Sequence, residues 1–157
     1  MSTEMNTPFR GLDRRRCSFT TVPTNSRVTP DYTRQMGVTG IHHVQVAITP
    51  GSEATARRFY GELLGLAEIE KPGSLAGRGG VWFACGEQQL HCGVEPEVAP
   101  SRRHPALLID DLEALRARLA GAGIATEDDR QIPGYRRFYA QDPFGNRLEF
   151  IQWTGPA

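Results

Sequence analysis

Three histidines and one glutamate recur at nearly matched intervals along this chain of 157 residues. His43 and His91 lie in the first half; His104 follows His43 by 61 residues, and Glu149 follows His91 by 58 residues. Imidazole and carboxylate groups are ligands for divalent metal ions, among them zinc, nickel, cobalt, manganese and iron(II). A unit of about sixty residues that repeats its ligand positions predicts one metal site built from both halves of the chain.

The elements that must hold these residues also recur. Apolar periodicity and the positions of Gly, Pro and Asn residues predict a strand, a helix and a β-hairpin in each half. The predicted bounds are 41–48, 52–64, 81–85 and 88–94 in the first half, and 104–109, 110–122, 135–140 and 147–153 in the second.

Strand parity places each of the four candidate ligands on the less apolar face of its strand. Side chains alternate between the two faces of a strand, so His43 lies opposite the apolar face that carries Val44 and Val46. The same holds for the other three, and we expect the apolar faces to pack on the helices while the ligand faces line a cavity. A single histidine on a strand is more often a surface residue or a hydrogen-bonded core residue, and only the joint pattern favours a metal site. A register shift of one residue would exchange His43 with His42, which we assign to the helix-facing or edge side.

Three segments of the chain resemble the vicinal oxygen chelate superfamily, the glyoxalase, bleomycin resistance and extradiol dioxygenase group. They are residues 41–46, 58–66 and 138–150, of which the last contains the Asp-Pro-x-Gly-Asn hairpin turn. The resemblance runs from about 39 to 153. It implies an α+β fold in which two βαβββ modules, at 39–97 and 102–154, form an open, cup-shaped mixed β-sheet around one divalent metal ion.

The resemblance also implies what the four ligands do. His43 and His91 would be the first-strand and fourth-strand ligands of the first module, and His104 and Glu149 their equivalents in the second. The metal of this family polarises two neighbouring oxygens of a small-molecule substrate, which is Lewis-acid catalysis. Glu149 would also be the catalytic residue, because it can leave the metal and act as the general base. These roles predict a metal-dependent lyase, isomerase or epimerase.

Departures from the family pattern keep two alternatives open. Glyoxalase I has a carboxylate where this chain has His91, which argues against simple glyoxalase I chemistry. Extradiol dioxygenases use ferrous iron and a triad that matches His43, His104 and Glu149, and there His91 would occupy a position that oxygen chemistry needs open. The second alternative is a non-catalytic small-molecule-binding or antibiotic resistance protein of the bleomycin-resistance type, although metal-free relatives of that kind lose the ligands that this chain keeps.

Six more residues are predicted to contact substrate, because they neighbour the ligands or face the same cavity. They are Gln45, Gln89, Phe83, Arg137, Tyr139 and Arg147. The two glutamines flank the ligands and can orient them. The arginines and the tyrosine can meet an anionic or aromatic substrate, although solvated arginines are an equally good interpretation. The phenylalanine is expected to supply an apolar wall.

Composition bounds the partners and the compartment. The formal net charge is zero, so nothing indicates a nucleic acid or an anionic membrane as partner. No apolar run approaches the roughly 20 residues of a membrane span. The three cysteines form no even disulfide framework, which indicates reduced thiols in a cytoplasmic protein. Bacterial relatives of this size often assemble each site from modules of two subunits, so the resemblance predicts a homodimer.

Residues 1–37 differ in kind from the rest of the chain. They are rich in Ser, Thr, Pro and Arg and lack apolar periodicity. We predict a disordered tail there, with an upstream start codon or an organellar transit peptide as alternatives. The folded domain is predicted at 38–155.

Overall fold

The computed structural model describes residues 37–156. The predicted disordered tail at 1–37 therefore lies, apart from Gly37, outside the described residues. No helix between residues 37 and 156 has the length and apolarity that a membrane crossing requires.

The first half of the described chain folds as a βαβββ module. Strand β1 (His43–Ile48) leads into a helix that is α-helical over Glu53–Ala56 (α1) and π-helical over Arg57–Leu63. Three strands follow, β2 (Glu68–Ile69), β3 (Val81–Cys85) and β4 (Gln88–Val94), with a 3-10 helix at Gly73–Arg78 between β2 and β3. The mixed sheet has the order β1-β4-β3-β2, in which β1 runs parallel to β4 and the other neighbours are antiparallel.

The second half repeats this topology. Its elements are β5 (Ala106–Leu108), α2 (Leu112–Gly121), β6 (Thr126–Asp128), β7 (Tyr135–Gln141) and β8 (Arg147–Trp153). The sheet order β5-β8-β7-β6 and the parallel pairing of β5 with β8 match the first module strand for strand. The predicted α+β class with two βαβββ modules is confirmed, and each module contributes one four-stranded mixed sheet.

Burial follows the parity that the sequence predicted. The largest fully buried side chains are Tyr60, Phe83, Phe138, Phe150, Ile48, Leu90, Leu112, Leu119, Leu148, Val81 and Cys92. On β1, β4 and β8 the buried members alternate with the candidate ligands, so the ligands lie on the opposite face of each strand. Burying one such side chain stabilises the fold by about 1.5–3 kcal/mol. A register shift that exposed a whole row would therefore be costly, which is why His43 rather than His42 lies on the ligand face.

Phe83 is a correction to the predicted site. It is fully buried, and its ring lies 5.9 Å from the ring of Tyr60, measured between centroids. The side chain therefore packs in the core beneath the first helix and supplies no cavity wall. Parity on β3 explains the difference, because Phe83 shares its face with buried Val81, whereas Trp82 points to the ligand face.

Element boundaries differ from the predictions where strands are short. The strands β2 and β6 contain two and three residues, too few to show an alternating pattern. The strand predicted at 104–109 is regular only over β5, so His104 precedes the strand. Backbone hydrogen bonds nevertheless continue past both ends of β5, from the Glu149 amide to the Pro105 carbonyl (3.0 Å) and from the Ile109 amide to the Ile151 carbonyl (2.9 Å).

The two helices follow the predicted bounds with one local change. In α2 the Asp111 side chain accepts a hydrogen bond from the Ala114 amide at 3.0 Å, which makes Asp111 the N-cap of the helix. The first helix widens into a π-helix, in which the Leu64 amide donates to the Phe59 carbonyl at 2.9 Å. The wider turn coincides with two consecutive aromatic residues, Phe59 and Tyr60, that are both buried.

The turn between β7 and β8 ties the two modules together, and we call residues 142–146 the intermodule turn. Asp142 is buried, and its Oδ1 accepts hydrogen bonds from the amides of Phe144 (2.9 Å) and Asn146 (2.8 Å) within the turn. Its Oδ2 accepts a hydrogen bond from the Tyr60 hydroxyl of the first module at 2.6 Å. The Asn146 side chain accepts from the Ala47 amide (3.2 Å) and donates to the Ala47 carbonyl (2.6 Å). The side-chain amide thus takes the place of a neighbouring strand at the free edge of β1.

Candidate functional site

The candidate ligands occupy equivalent positions in the two modules. On the parallel pair β1 and β4, His91 is the partner of Gln45, two residues beyond His43. On the pair β5 and β8, Glu149 is the partner of Ala106, two residues beyond His104. Each module therefore places one pair of candidate ligands diagonally across its parallel strands.

In the first module the ligand pair is part of an aromatic stack. The His43 and His91 rings lie 4.2 Å apart with an interplanar angle of 16°, and Trp82 stacks on His91 at 3.8 Å and 1°. The strand order puts His91 between the other two rings. Stacking on both sides fixes the plane of the His91 ring. Sequence reasoning missed Trp82, although the parity of β3 could have found it.

Polar contacts orient the same two imidazoles. The Nε2 atom of His91 lies 2.8 Å from the Gln89 side-chain oxygen, and the Nδ1 atom of His43 lies 3.0 Å from Nδ1 of His42. His91 is almost fully buried, whereas His43 is exposed. Burial and the positive charges that His43 and His42 carry when protonated lower the pKa of His91 below its usual value. His91 is therefore a neutral imidazole at neutral pH, the form that binds a metal.

In the second module the ligand pair is in direct contact. The Nε2 atom of His104 lies 3.0 Å from Oε2 of Glu149, and Nδ1 of His104 lies 2.7 Å from the Arg102 carbonyl oxygen. A carbonyl oxygen can only accept, so this hydrogen bond runs from Nδ1 to the Arg102 carbonyl. Nε2 faces the Glu149 carboxylate, which also only accepts, and a metal ion bound there would replace the proton of this hydrogen bond. Metal-binding histidines commonly have this arrangement, with the far nitrogen donating to a backbone carbonyl.

Arg137 is a hydrogen-bond donor to Glu149 and favours its charged form. Its Nη1 donates to Oε1 of Glu149 at 2.8 Å and lies 2.6 Å from the Tyr139 hydroxyl. Burial opposes ionisation of Glu149, but the hydrogen bonds from Arg137 and His104 outweigh it, so the pKa of Glu149 lies below its usual value. Glu149 is therefore a carboxylate at neutral pH, although it is almost fully buried. Arg137 was predicted to contact substrate, and in this structure it is engaged with protein groups.

The remaining predicted substrate contacts lie on the ligand faces. A Cβ atom on Gly93 would meet the Gln45 amide at 2.5 Å, so Gln45 folds across the space that this glycine leaves open, beside His91. Gln89 contacts His91 directly. The Arg147 guanidinium carbon lies 3.8 Å from the centroid of the Tyr139 ring.

The two ligand pairs do not meet within one chain. Among residues 37–156, no group of three or more His, Cys, Asp or Glu side chains is arranged to hold a metal ion. The structure thus brings His43 to His91 and His104 to Glu149, but it does not bring the four together. One chain therefore presents two separate pairs of candidate ligands, which we call the first half-site (His43 and His91) and the second half-site (His104 and Glu149).

Two open cavities lie beside the second half-site. One has a volume of about 580 Å³ and is lined by residues that include Tyr139, Arg147, Arg102 and Glu127. The other, of about 540 Å³, is lined by residues that include Gln45, His104 and Arg147. Arg147 therefore borders both cavities.

Comparison with known proteins identifies the family of this chain. The model of the glyoxalase/bleomycin resistance protein/dioxygenase superfamily matches residues 40–150. A glyoxalase family protein from Bacillus anthracis is similar in structure, with 45% sequence identity, a TM-score of 0.71, and coverage of 76% of this chain and 99% of that chain. A comparison with curated proteins gave no match.

Two further solved structures share the fold. TnmS3, an antibiotic binding protein from Streptomyces sp. CB03234, has 24% identity and a TM-score of 0.59, and covers 78% of this chain and 100% of its own. Lactoylglutathione lyase from Agrobacterium tumefaciens has 22% identity and a TM-score of 0.55, and covers 74% of this chain and 95% of its own. At this identity the likeness concerns the fold alone, and one of these proteins is named as a binder and the other as an enzyme.

Proposed function

The chain belongs to the glyoxalase/bleomycin resistance protein/dioxygenase superfamily, and we propose that it is a divalent-metal-dependent enzyme of the glyoxalase type. Its reaction would be that of a lyase, isomerase or epimerase on a small molecule with two adjacent oxygen atoms. The observation that carries this proposal is the equivalent diagonal placement of His43 with His91 and of His104 with Glu149.

The chemistry of the donor groups fits a divalent metal. Three imidazoles and one carboxylate suit zinc, nickel, cobalt, manganese or iron(II). His91 is held neutral and Glu149 is ionised, so both are in the protonation state that a ligand needs, and Nε2 of His104 lies beside the Glu149 carboxylate. A bound divalent ion would supply Lewis-acid polarisation of the substrate oxygens.

We propose that each metal site combines half-sites from two copies of the chain. Four ligands require both pairs, and the pairs lie apart within one chain. A homodimer could place the His43–His91 pair of one copy against the His104–Glu149 pair of the other, and two-fold symmetry would create two such sites. Homodimerisation and cytoplasmic location both stay predictions.

Glu149 is the residue that we propose for proton transfer. An ionised carboxylate can bind a metal and can also accept a proton from substrate. The hydrogen bond from Arg137 lowers the pKa of Glu149 and so weakens it as a base. Release of Arg137 from Glu149 would raise the basicity of the carboxylate, so we propose that Arg137 shifts when substrate binds.

Two alternatives use the same face of the sheet. A non-catalytic small-molecule binder is supported by the two open cavities. It is also supported by the ligand side chains of one chain, because among residues 37–156 no three of them are grouped to hold a metal ion. An extradiol dioxygenase would use His43, His104 and Glu149 with ferrous iron, but His91 lies directly against His43, where it would occupy a position that oxygen chemistry needs open. Oxygen uptake with catechols in the presence of ferrous iron would identify the dioxygenase.

Metal content tests the proposed function. Elemental mass spectrometry of the purified protein is expected to find about one divalent ion per chain, and His91→Ala and Glu149→Ala are each expected to lose it. Gln141→Ala is the matched control, because Gln141 is exposed and outside both pairs. A native protein that takes up no metal after reconstitution would contradict the enzyme proposal and favour the binder.

A further inference from the structure

The Arg147 side chain has hydrogen-bonding capacity that the protein does not use. Within residues 37–156 it forms no hydrogen bond and no ion pair, and its Nε atom is buried without a partner. A guanidinium group carries five N–H donors, and no acceptor among the described residues engages those of Arg147.

Arg137, on the neighbouring strand, shows the contrast. Its guanidinium contacts Glu149, Tyr139, Asp129 and the Arg130 carbonyl. The sequence analysis predicted the same role for both arginines, contact with an anionic substrate. The structure separates them, because Arg137 is occupied by protein acceptors and Arg147 is not.

Arg147 is nevertheless held in place. Its guanidinium carbon lies 3.8 Å from the Tyr139 ring centroid, a distance at which a planar cation stacks on an aromatic face. Tyr139 is itself buried, and its hydroxyl is fixed by Arg137. Stacking therefore positions the guanidinium without occupying its hydrogen-bond donors.

The cavity of about 580 Å³ gives this cation space for a ligand. Arg102 and Arg147 both line it, and Glu127 is the acidic residue among its lining groups. Two positive charges against one negative charge favour an anion. In the cavity of about 540 Å³, Arg103 and Arg147 are balanced by Glu95 and Glu97, so the larger cavity is the one suited to an anion.

We propose that Arg147 binds an oxyanion group of the substrate, a carboxylate or a phosphoryl group, in the cavity above Tyr139. The identity of that anion as substrate rests on the proposed function. Binding of the oxyanion itself does not, because it needs no metal. The planar fork of arginine matches both kinds of oxyanion with two parallel hydrogen bonds.

The test uses the full-length protein after its metal has been removed with a chelator. Inorganic phosphate and acetate are titrated separately while the arginine Nε–H signals are followed by NMR. Either anion is expected to shift the Arg147 signal, and the tighter of the two identifies the kind of oxyanion. Arg147→Gln is expected to weaken binding by about tenfold or more, and Arg147→Lys to weaken it less.

Arg136→Gln is the matched control, because it removes the same charge from β7 at an exposed position that pairs with Glu113 on α2. It is expected to change the dissociation constant by less than about twofold. The proposal is overturned if neither anion shifts the wild-type Arg147 signal, or if Arg147→Gln and Arg136→Gln bind alike. The wild-type signal needs no variant, so a variant that fails to fold leaves the test intact. A protein that takes up no metal but binds phosphate through Arg147 would refute the proposed function and retain this inference.

Discussion

Replacement of Asn146 by alanine is expected to weaken the contact between the two modules. The Asn146 amide makes two hydrogen bonds to the backbone of Ala47, at 3.2 Å and 2.6 Å, and donates a third to Asp142 Oδ2 at 2.7 Å. Alanine removes all three. The Ala47 peptide groups then lose their partners at a partly buried edge of β1, and Asp142 loses one of the donors that stabilise its buried charge.

The size of the effect follows from these contacts. A neutral hydrogen bond contributes about 0.5–1.5 kcal/mol net, and a buried polar group left without a partner costs about 1–3 kcal/mol. Water can partly replace the lost partners because Ala47 is only partly buried. We therefore expect Asn146→Ala to lower the free energy of unfolding by about 2–4 kcal/mol, a large share of the 5–15 kcal/mol typical of a domain.

Urea unfolding at a fixed protein concentration measures this change, because any dimerisation would otherwise shift the apparent stability. Gln141→Ala removes an amide just before the intermodule turn, where the side chain is exposed, and is expected to change the free energy of unfolding by less than about 0.5 kcal/mol. Asn146→Asp keeps the shape of the side chain but faces Asp142 with a second carboxylate, so we expect it to destabilise at least as much as alanine. An Asn146→Ala variant as stable as Gln141→Ala would refute the role of the intermodule turn.

Other contacts give three further expectations. Trp82→Leu removes the ring that stacks on His91 and should weaken zinc binding by about tenfold in calorimetric titration, whereas Trp153→Leu should not. Burial raises the pKa of Cys92 to about 12 from its usual value of 9.0, so the stability that its thiol form contributes is complete below pH 9.0 and is lost as the pH rises towards 12. Peptide mapping after alkylation at pH 8 should accordingly find Cys92 unmodified until the protein is unfolded. Ready modification of Cys92 in the folded state would contradict this. Arg137→Gln removes a donor that lowers the pKa of Glu149, so carbon NMR of the Glu149 carboxyl should show titration at higher pH than in the wild type. The variant should also lose part of the stability that this carboxylate contributes above its unfolded pKa, a contribution that disappears as the pH falls through the folded pKa. An unchanged titration would show that Arg137 does not lower the pKa of Glu149.

Strand parity made much of the fold predictable from the sequence. The alternation of His43 with Val44 and Val46 places the ligand face correctly, since burial of the apolar row leaves one register much more stable than the other. Phe83 is an exception to the prediction, because it shares the buried face of β3 with Val81, and Trp82 is the residue on the ligand side. The short strands β2 and β6 carry too few residues for any periodic signal.

Contacts between distant elements could not be predicted in this way. Arg137 and Arg147 lie on the same face of the second sheet, so strand parity cannot tell them apart. Arg137 donates to Glu149 and Arg147 has no protein acceptor in the described part of the chain because of which side chains the fold brings near each of them. The separation of the two ligand pairs depends on how the modules pack, which local patterns do not encode. Whether a second copy completes each site is a property of an assembly, so a single sequence favours it only through family resemblance.

The metal content of a mixed dimer tests the central claim most directly. His43→Ala and Glu149→Ala chains with different affinity tags are co-expressed, and the heterodimer is purified through both tags. If each site uses the first module of one copy and the second module of the other, one site carries both substitutions and the other is intact, so the heterodimer should hold about half the metal of the wild type. Each homodimeric variant should hold essentially none. A heterodimer as empty as its parents, beside a wild type that binds metal, would contradict the shared site.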